Sequence, residues 1–201
     1  MDKLEILTDL SRGHYKAFLY DCDGTLADSM QAHKESYVQV AARHDVSIDP
    51  SIIDEFAGLP TALVVEEINK RYGANFDPLA FEEAKHEVFF TKYIENVKPI
   101  DFVKDHLIVH SDKVKIGVVS GSSGATVRKT LEVLGLSKYV EVCVCAGDTE
   151  RGKPYPDPFL LAAEKLGVAA ADCLVFEDGE PGVRAAEAAG MDWIRIDKIG
   201  H

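Results

Sequence analysis

The sequence predicts an α/β fold, a doubly wound parallel sheet with a small helical unit inserted near its start. Three observations predict it. Short apolar runs recur at Ala17–Tyr20, Ile116–Val119, Val140–Cys145, Cys173–Phe176 and Trp193–Ile196, each short enough and apolar enough for a strand buried on both faces. Helical periodicity fills the gaps between the later runs, which makes successive strands parallel with right-handed crossovers. From about Asp28 to Asn96 no strand pattern occurs at all.

Taken in order, the first residues (Leu4, Leu7, Leu10) suggest a short helix lying on the body of the protein. They lack the build of a secretory signal. The run Ala17–Tyr20 then opens the sheet. Helices are expected at Ser29–His44, Pro50–Ala57, Thr61–Arg71 and Pro78–Glu95, with Asp28 capping the first. This block reads as a helical cap domain, 28–96, over a Rossmann-like core made of 1–27 and 97–201. The returning core has helices at Gly124–Leu134, Asp157–Leu166 and Pro181–Ala189. Asp157 followed by Pro158 reads as an N-cap with proline at the first helical position.

A net charge of −12 over 201 residues argues against nucleic acid, whose phosphates recruit basic faces. It leaves room for a small phosphorylated metabolite, because one divalent cation and one lysine can reverse the local potential. No apolar run approaches the roughly 18 residues that span a bilayer. Cys22, Cys143, Cys145 and Cys173 sit in or beside strands without metal-ligand spacing, as reduced thiols of a cytoplasmic protein do. Nothing sets an oligomeric state, and a monomer is compatible with the sequence.

Four motifs leave predicted strands. The first runs from Phe18 through Asp21, Cys22, Asp23, Gly24 and Thr25. Residues two apart on an extended chain share a side, so Asp21 and Asp23 would crowd one pocket and repel unless a cation is shared. Magnesium, hard and oxygen-ligated, resolves that conflict. The second, Ser120-Gly121-Ser122-Ser123-Gly124 before a helix, offers a hydroxyl and free N–H groups to a phosphate. The third puts Lys153 between Gly152 and Pro154, a rigid mount for a positive charge beside a transferring phosphoryl group. In the fourth, Glu177 and Asp178 end a strand and can complete the cation site.

In this order and at these strand ends, the motifs resemble those of the haloacid dehalogenase-like hydrolase superfamily. The Gly-Lys-Pro-x-Pro-Asp-x-Phe run at 152–159 and the Glu-Asp-x-x-x-Gly run at 177–182 are similar to its β-phosphoglucomutase-like branch, which contains sugar-phosphate phosphatases. The resemblance implies a magnesium-dependent phosphatase in which Asp21 attacks phosphorus. Asp23 would serve as general acid and then base, with a pKa raised from about 4. It implies that Ser120 and the Gly121 amide hold phosphoryl oxygens and that Lys153 neutralises charge. Magnesium would be held by the Asp21 carboxylate, the Asp23 main-chain carbonyl, Asp178 and Glu177, the last directly or through water.

Two departures matter. Gly179 stands where relatives carry a small hydroxyl residue, and Gly58-Leu59-Pro60-Thr61 lacks the arginine expected of a phosphosugar mutase. The mutase remains the nearest alternative, and a phospho-acceptor signalling domain is the alternative from another class. His33 matches a histidine found in this branch, free either to assist Asp23 or to face solvent.

Overall fold

The computed structural model describes residues 2–56 and 59–200. In chain order the elements are α1 (Lys3–Leu10), β1 (Ala17–Tyr20), β2 (Ala27–Asp28), α2 (Met30–Ala42), α3 (Ser51–Glu55), α4 (Thr61–Tyr72), α5 (Pro78–Lys92), β3 (Lys98–Pro99) and α6 (Asp101–His110). They continue as β4 (Lys115–Ser123), α7 (Gly124–Val133), β5 (Val142–Ala146), α8 (Asp157–Leu166), β6 (Cys173–Glu177), α9 (Glu180–Ala188) and β7 (Asp192–Arg195). Ala57 and Gly58 lie outside the described residues, and with them the expected end of the Pro50–Ala57 helix and part of the arginine-free segment.

The main sheet has the strand order β5-β4-β1-β6-β7, and all its pairs are parallel. Every residue of β1 is buried, since the strand is flanked on both sides and covered on both faces. Alternation along β1 divides the core in two. Phe18 and Tyr20 join Leu7, Val103, Leu107 and Val127 on one face; Ala17 and Leu19 join Phe159, Ala162 and Ala185 on the other. From β1 the chain builds β4 and β5 on one side and then crosses to β6 and β7 on the other, so the carboxyl end of β1 is the point where strand order reverses. Such a point opens a crevice for ligands.

The chain departs from the sheet along β2 and comes back along β3, the two pairing antiparallel as a short ribbon. Between them α2 to α5 enclose an apolar cluster of their own, including Tyr37, Val40, Ile52, Val65, Ile68 and Phe81. A smaller cluster of Ala27, Phe89, Ile94 and Val97 packs at the ribbon.

Two expected caps are corrected. Asp28 pairs with Lys98 in β2, and Ser29 holds the N-cap position of α2 without capping it, because its hydroxyl turns to Asp23. Asp157 is the first residue of α8, and its carboxylate takes both ends of the Arg151 guanidinium at 3.1 and 3.0 Å. A carboxylate in the first turn still suits the helix dipole. All four cysteines are free. Of the three leucines of α1, only Leu7 is buried. No described helix is long and apolar enough to cross a membrane.

Candidate active site

Asp21 follows β1 directly and its N–H donates to Phe176 O of β6, which pins the backbone at the strand's end. Two residues later the chain turns back, with Gly24 at φ +88 and its N–H on Ala27 O. A Cβ on Gly24 would stand 2.2 Å from Asp178 Oδ2, so a side chain here would push directly into the opposing carboxylate. Thr25 donates its hydroxyl to Asp178 Oδ1 at 3.0 Å. The first motif therefore sets the position of the fourth.

Lys153 is buried beneath this junction. Its ammonium donates to Asp21 Oδ1 at 2.7 Å, Glu177 Oε1 at 2.5 Å and Val119 O at 3.0 Å, so each N–H has an acceptor. Burial opposes its charge, but Asp21 and Glu177 more than offset that and hold its pKa well above the ordinary lysine value. The other Glu177 oxygen accepts from the Gly179 N–H at 2.8 Å, and its carboxylate occupies the space that a side chain on Gly182 would need.

Asp21, Glu177 and Asp178 each offer a carboxylate oxygen within 4.8 Å of the others. Three acids face one ammonium, leaving an excess of negative charge at this point. Burial drives the Asp21 carboxyl well above the usual range despite Lys153, and burial together with Glu177 pushes Asp178 up to about 6. An all-oxygen donor set with surplus charge fits a hard divalent cation such as magnesium. Asp21, Asp178 and, through its free lone pairs, Glu177 are the side chains able to hold it.

Asp23 lines the same pocket yet is not part of that cluster. Its Oδ1 accepts from Ser29 Oγ at 2.6 Å and lies 2.8 Å from His33 Nε2, while Oδ2 accepts from Ser122 Oγ at 2.7 Å. These donors overcome burial and lower its pKa well below the ordinary value. The upward shift expected from the sequence is thus reversed, because a carboxylate with three donors is stabilised as the anion. The His33 pKa is itself lowered by burial and by Lys85, an effect that Asp23 partly opposes. Its Nδ1 is buried with no partner among the described residues, and its ring stacks on Phe89 at 4.1 Å.

Ser120 and Gly121 also line the pocket, with Ser120 Oγ accepting from the Ser122 N–H at 3.0 Å. The opposite wall is apolar and comes from the inserted helices, including Met30, Ile53, Phe56, Leu59 and Val64, with Lys85 as its cation. Burial lowers the Lys85 pKa to about 8, partly opposed by Asp23 and Glu82. Sequence reasoning placed Asp21, Asp23, Ser120, Gly121, Lys153, Glu177 and Asp178 in one site, and the fold brings all seven to this end of the sheet. It missed Thr25, Ser29 and Ser122 as carboxylate donors, and it gave Lys85 no distinct place. Ser122 carried a signal in its spacing from Ser120; Lys85 carried none without the packing of α5.

A family model described as haloacid dehalogenase-like hydrolase matches residues 18–196. The chain belongs to this family. Fructose-1-phosphate phosphatase YqaB of Escherichia coli is 31% identical to it over 182 residues, covering 90% of this chain and 96% of the relative. β-Phosphoglucomutase of Bacillus subtilis is 30% identical, covering 88% and 80%. The crystal structure of CbbY from Rhodobacter sphaeroides in complex with phosphate superposes with a TM-score of 0.81 over 89% of this chain and 84% of that one; at 21% identity it speaks to the fold alone. As a haloacid dehalogenase-like enzyme with phosphatases among its relatives, the chain is a phosphoric monoester hydrolase.

Proposed function

We propose that the protein is a magnesium-dependent phosphatase of a small phosphorylated sugar, working through a phosphorylated Asp21. One observation carries this reading: the Lys153 ammonium bridges Asp21 and Glu177 while Asp178 offers an oxygen to the same point. Residues 28–96 act as the cap over a core of 1–27 and 97–201.

In the first step an Asp21 oxygen forms a bond to phosphorus as the bond to the sugar oxygen breaks, and Asp23 supplies the proton that oxygen needs. In the second, water attacks phosphorus, its proton passes to Asp23, and the bond to Asp21 breaks to release phosphate. The Asp23 donors favour its anionic form, which suits the second step; the first requires it to gain a proton when substrate displaces or reorients a donor. Ser120 and the Gly121 N–H receive phosphoryl oxygens, and Lys153 stays on Asp21 throughout, offsetting charge. Asp21, the Asp23 main-chain carbonyl, Asp178 and Glu177 would hold magnesium, which neutralises phosphoryl charge when bound. Splitting one displacement in two is the gain from a covalent path.

A sugar phosphate is favoured as substrate by the named activities of relatives at about 30% identity over most of their length. The mutase reading rests on the similarity to β-phosphoglucomutase. Leu59, Pro60 and Thr61 bring no guanidinium to grip a second phosphate, which favours hydrolysis. Family membership sets aside the signalling domain.

Phosphate release from a panel of sugar phosphates, fructose 1-phosphate included, tests the proposal. Release that needs magnesium and stops with EDTA supports it. Isomerised product formed only with a sugar bisphosphate, without free phosphate, would replace it by the mutase.

A further inference from the structure

Helix α5 bears on the active site at three places. Phe89 stacks on His33, which holds Asp23, and Lys85 lines the active-site pocket. His86 reaches across the seam to the core: its Nδ1 is 2.9 Å from Thr126 Oγ1 and 3.5 Å from Ser123 Oγ.

The core side of that contact is built from the phosphate loop. Ser123 is the N-cap of α7, its Oγ accepting from the Thr126 N–H at 3.3 Å and lying 3.0 Å from Thr126 Oγ1. Its neighbour Ser122 donates to Asp23, and Ser120 lies two residues further back. Thr126 is buried, at 4% exposure. The inserted helices are joined to the sheet by one short ribbon, so their angle over the site depends on contacts such as this one. Ser29 and His33 tie to Asp23 beside the ribbon, and further along the seam Lys129 meets Glu95 at 2.9 Å, a Glu95 side chain that is 68% exposed, so that pair is screened accordingly. A cavity of about 300 Å3 runs along the seam between Lys85, His86, Ser122 and Thr126, so little else packs α5 onto this turn.

We propose that His86 is a positioning residue: hydrogen-bonded to Thr126, it seats the cap on the first turn of α7 and fixes the Ser120–Ser123 loop beneath the bound substrate. The inference rests on the phosphatase reading above. It uses His86 as one partner of a hydrogen bond and assigns it no contact with the reacting atoms.

The test compares H86A, H86N and T126V with wild type by steady-state kinetics on the best sugar phosphate, and by amide hydrogen exchange over residues 120–126. One neutral hydrogen bond biases an equilibrium by roughly 2- to 10-fold. Accordingly H86A and T126V should each raise KM by about that factor with kcat nearly unchanged, and the double variant should be no worse than H86A. H86N, which keeps a polar atom where Nδ1 stands, should restore KM. Exchange should quicken at 120–126 in H86A and T126V. Unchanged KM and exchange, additive losses in the double variant, or a fall in kcat alone would overturn the proposal. Should H86A fail to fold, H86N and T126V still decide. Wild-type protein inactive on every sugar phosphate would count against the phosphatase reading, and the exchange data would still judge His86.

Discussion

His33 Nε2 lies 2.8 Å from Asp23 Oδ1, and the imidazole that makes this contact comes from the inserted helices while the carboxylate belongs to the loop that leaves β1. The proposed acid–base residue is thus held from outside the loop that carries it. With Ser29 and Ser122 also donating, Asp23 is kept anionic.

Removing His33 should therefore cost turnover more than binding. We expect His33→Ala to lower kcat roughly 10-fold or more. The Asp23 pKa should rise, which NMR titration of the carboxyl carbon would read. The sign follows from linkage: a carboxyl with a lowered folded-state pKa contributes stability that is full above the ordinary range and is lost as pH falls through the lowered value. The variant should consequently lose less stability on acidification than wild type.

The acidic cluster makes the opposite contribution. Asp178, raised to about 6, holds its proton in the folded state where the unfolded chain has lost it, so stability falls as pH rises from about 4 toward 6. A divalent cation relieves that repulsion. Magnesium at 100 times its Kd should stabilise the fold by about 2.7 kcal/mol, a rise of roughly 5–10 °C in Tm near pH 7.5. The rise should be much smaller near pH 4.5, below the raised Asp178 value, where magnesium must displace that carboxyl's proton. Thermal unfolding at the two pH values, with and without magnesium, checks this without any assay of activity.

Gly24 should tolerate no side chain. Its φ of +88 and the 2.2 Å approach of Asp178 Oδ2 to a Cβ mean that Gly24→Ala strains the turn and displaces the Asp178 carboxylate. A loss of about 1–2 kcal/mol from the backbone alone is expected in urea unfolding. The magnesium-dependent rise in Tm should shrink in the same variant.

What the sequence disclosed divides along physical lines. Strands buried on both faces leave continuous apolar runs, so β1 and β6 were legible nearly to the residue, and the motifs at their ends came with them. The short ribbon of β2 and β3 left no such trace, since two-residue strands have no period to read. α6 also went unassigned, though Val103 and Leu107 bury one face of it at helical spacing. The roles of Asp28 and Ser29 were exchanged because the cap rule weighs local chemistry, and here a distant carboxylate outcompetes it. The Asp23 pKa was misjudged for a related reason: its donors lie at positions 29, 33 and 122, and only folding brings them together.

A second buried histidine gives a prediction far from the site. His106, fully buried, bridges Ser11 Oγ at 2.9 Å and Tyr20 OH at 2.8 Å, tying α1 to the strand that carries Asp21. Burial lowers its pKa to about 3, with His110 adding to the effect. The unfolded chain binds a proton below about 6.5 that the folded chain refuses, so stability should be lost as pH falls from 6.5 toward 3, by up to about 1.4 kcal/mol per unit. His106→Gln should flatten this slope while lowering stability at pH 7, as urea midpoints across the range would show.

The central claim is that Asp21 itself carries the phosphoryl group. Wild-type enzyme mixed with its best sugar phosphate and magnesium, quenched in acid within milliseconds and digested, should yield the peptide around Asp21 heavier by one phosphoryl group, with none on Asp21→Asn, which should also release no phosphate. Phosphate release by Asp21→Asn at the wild-type rate, or a phosphoryl group found on another residue, would contradict it.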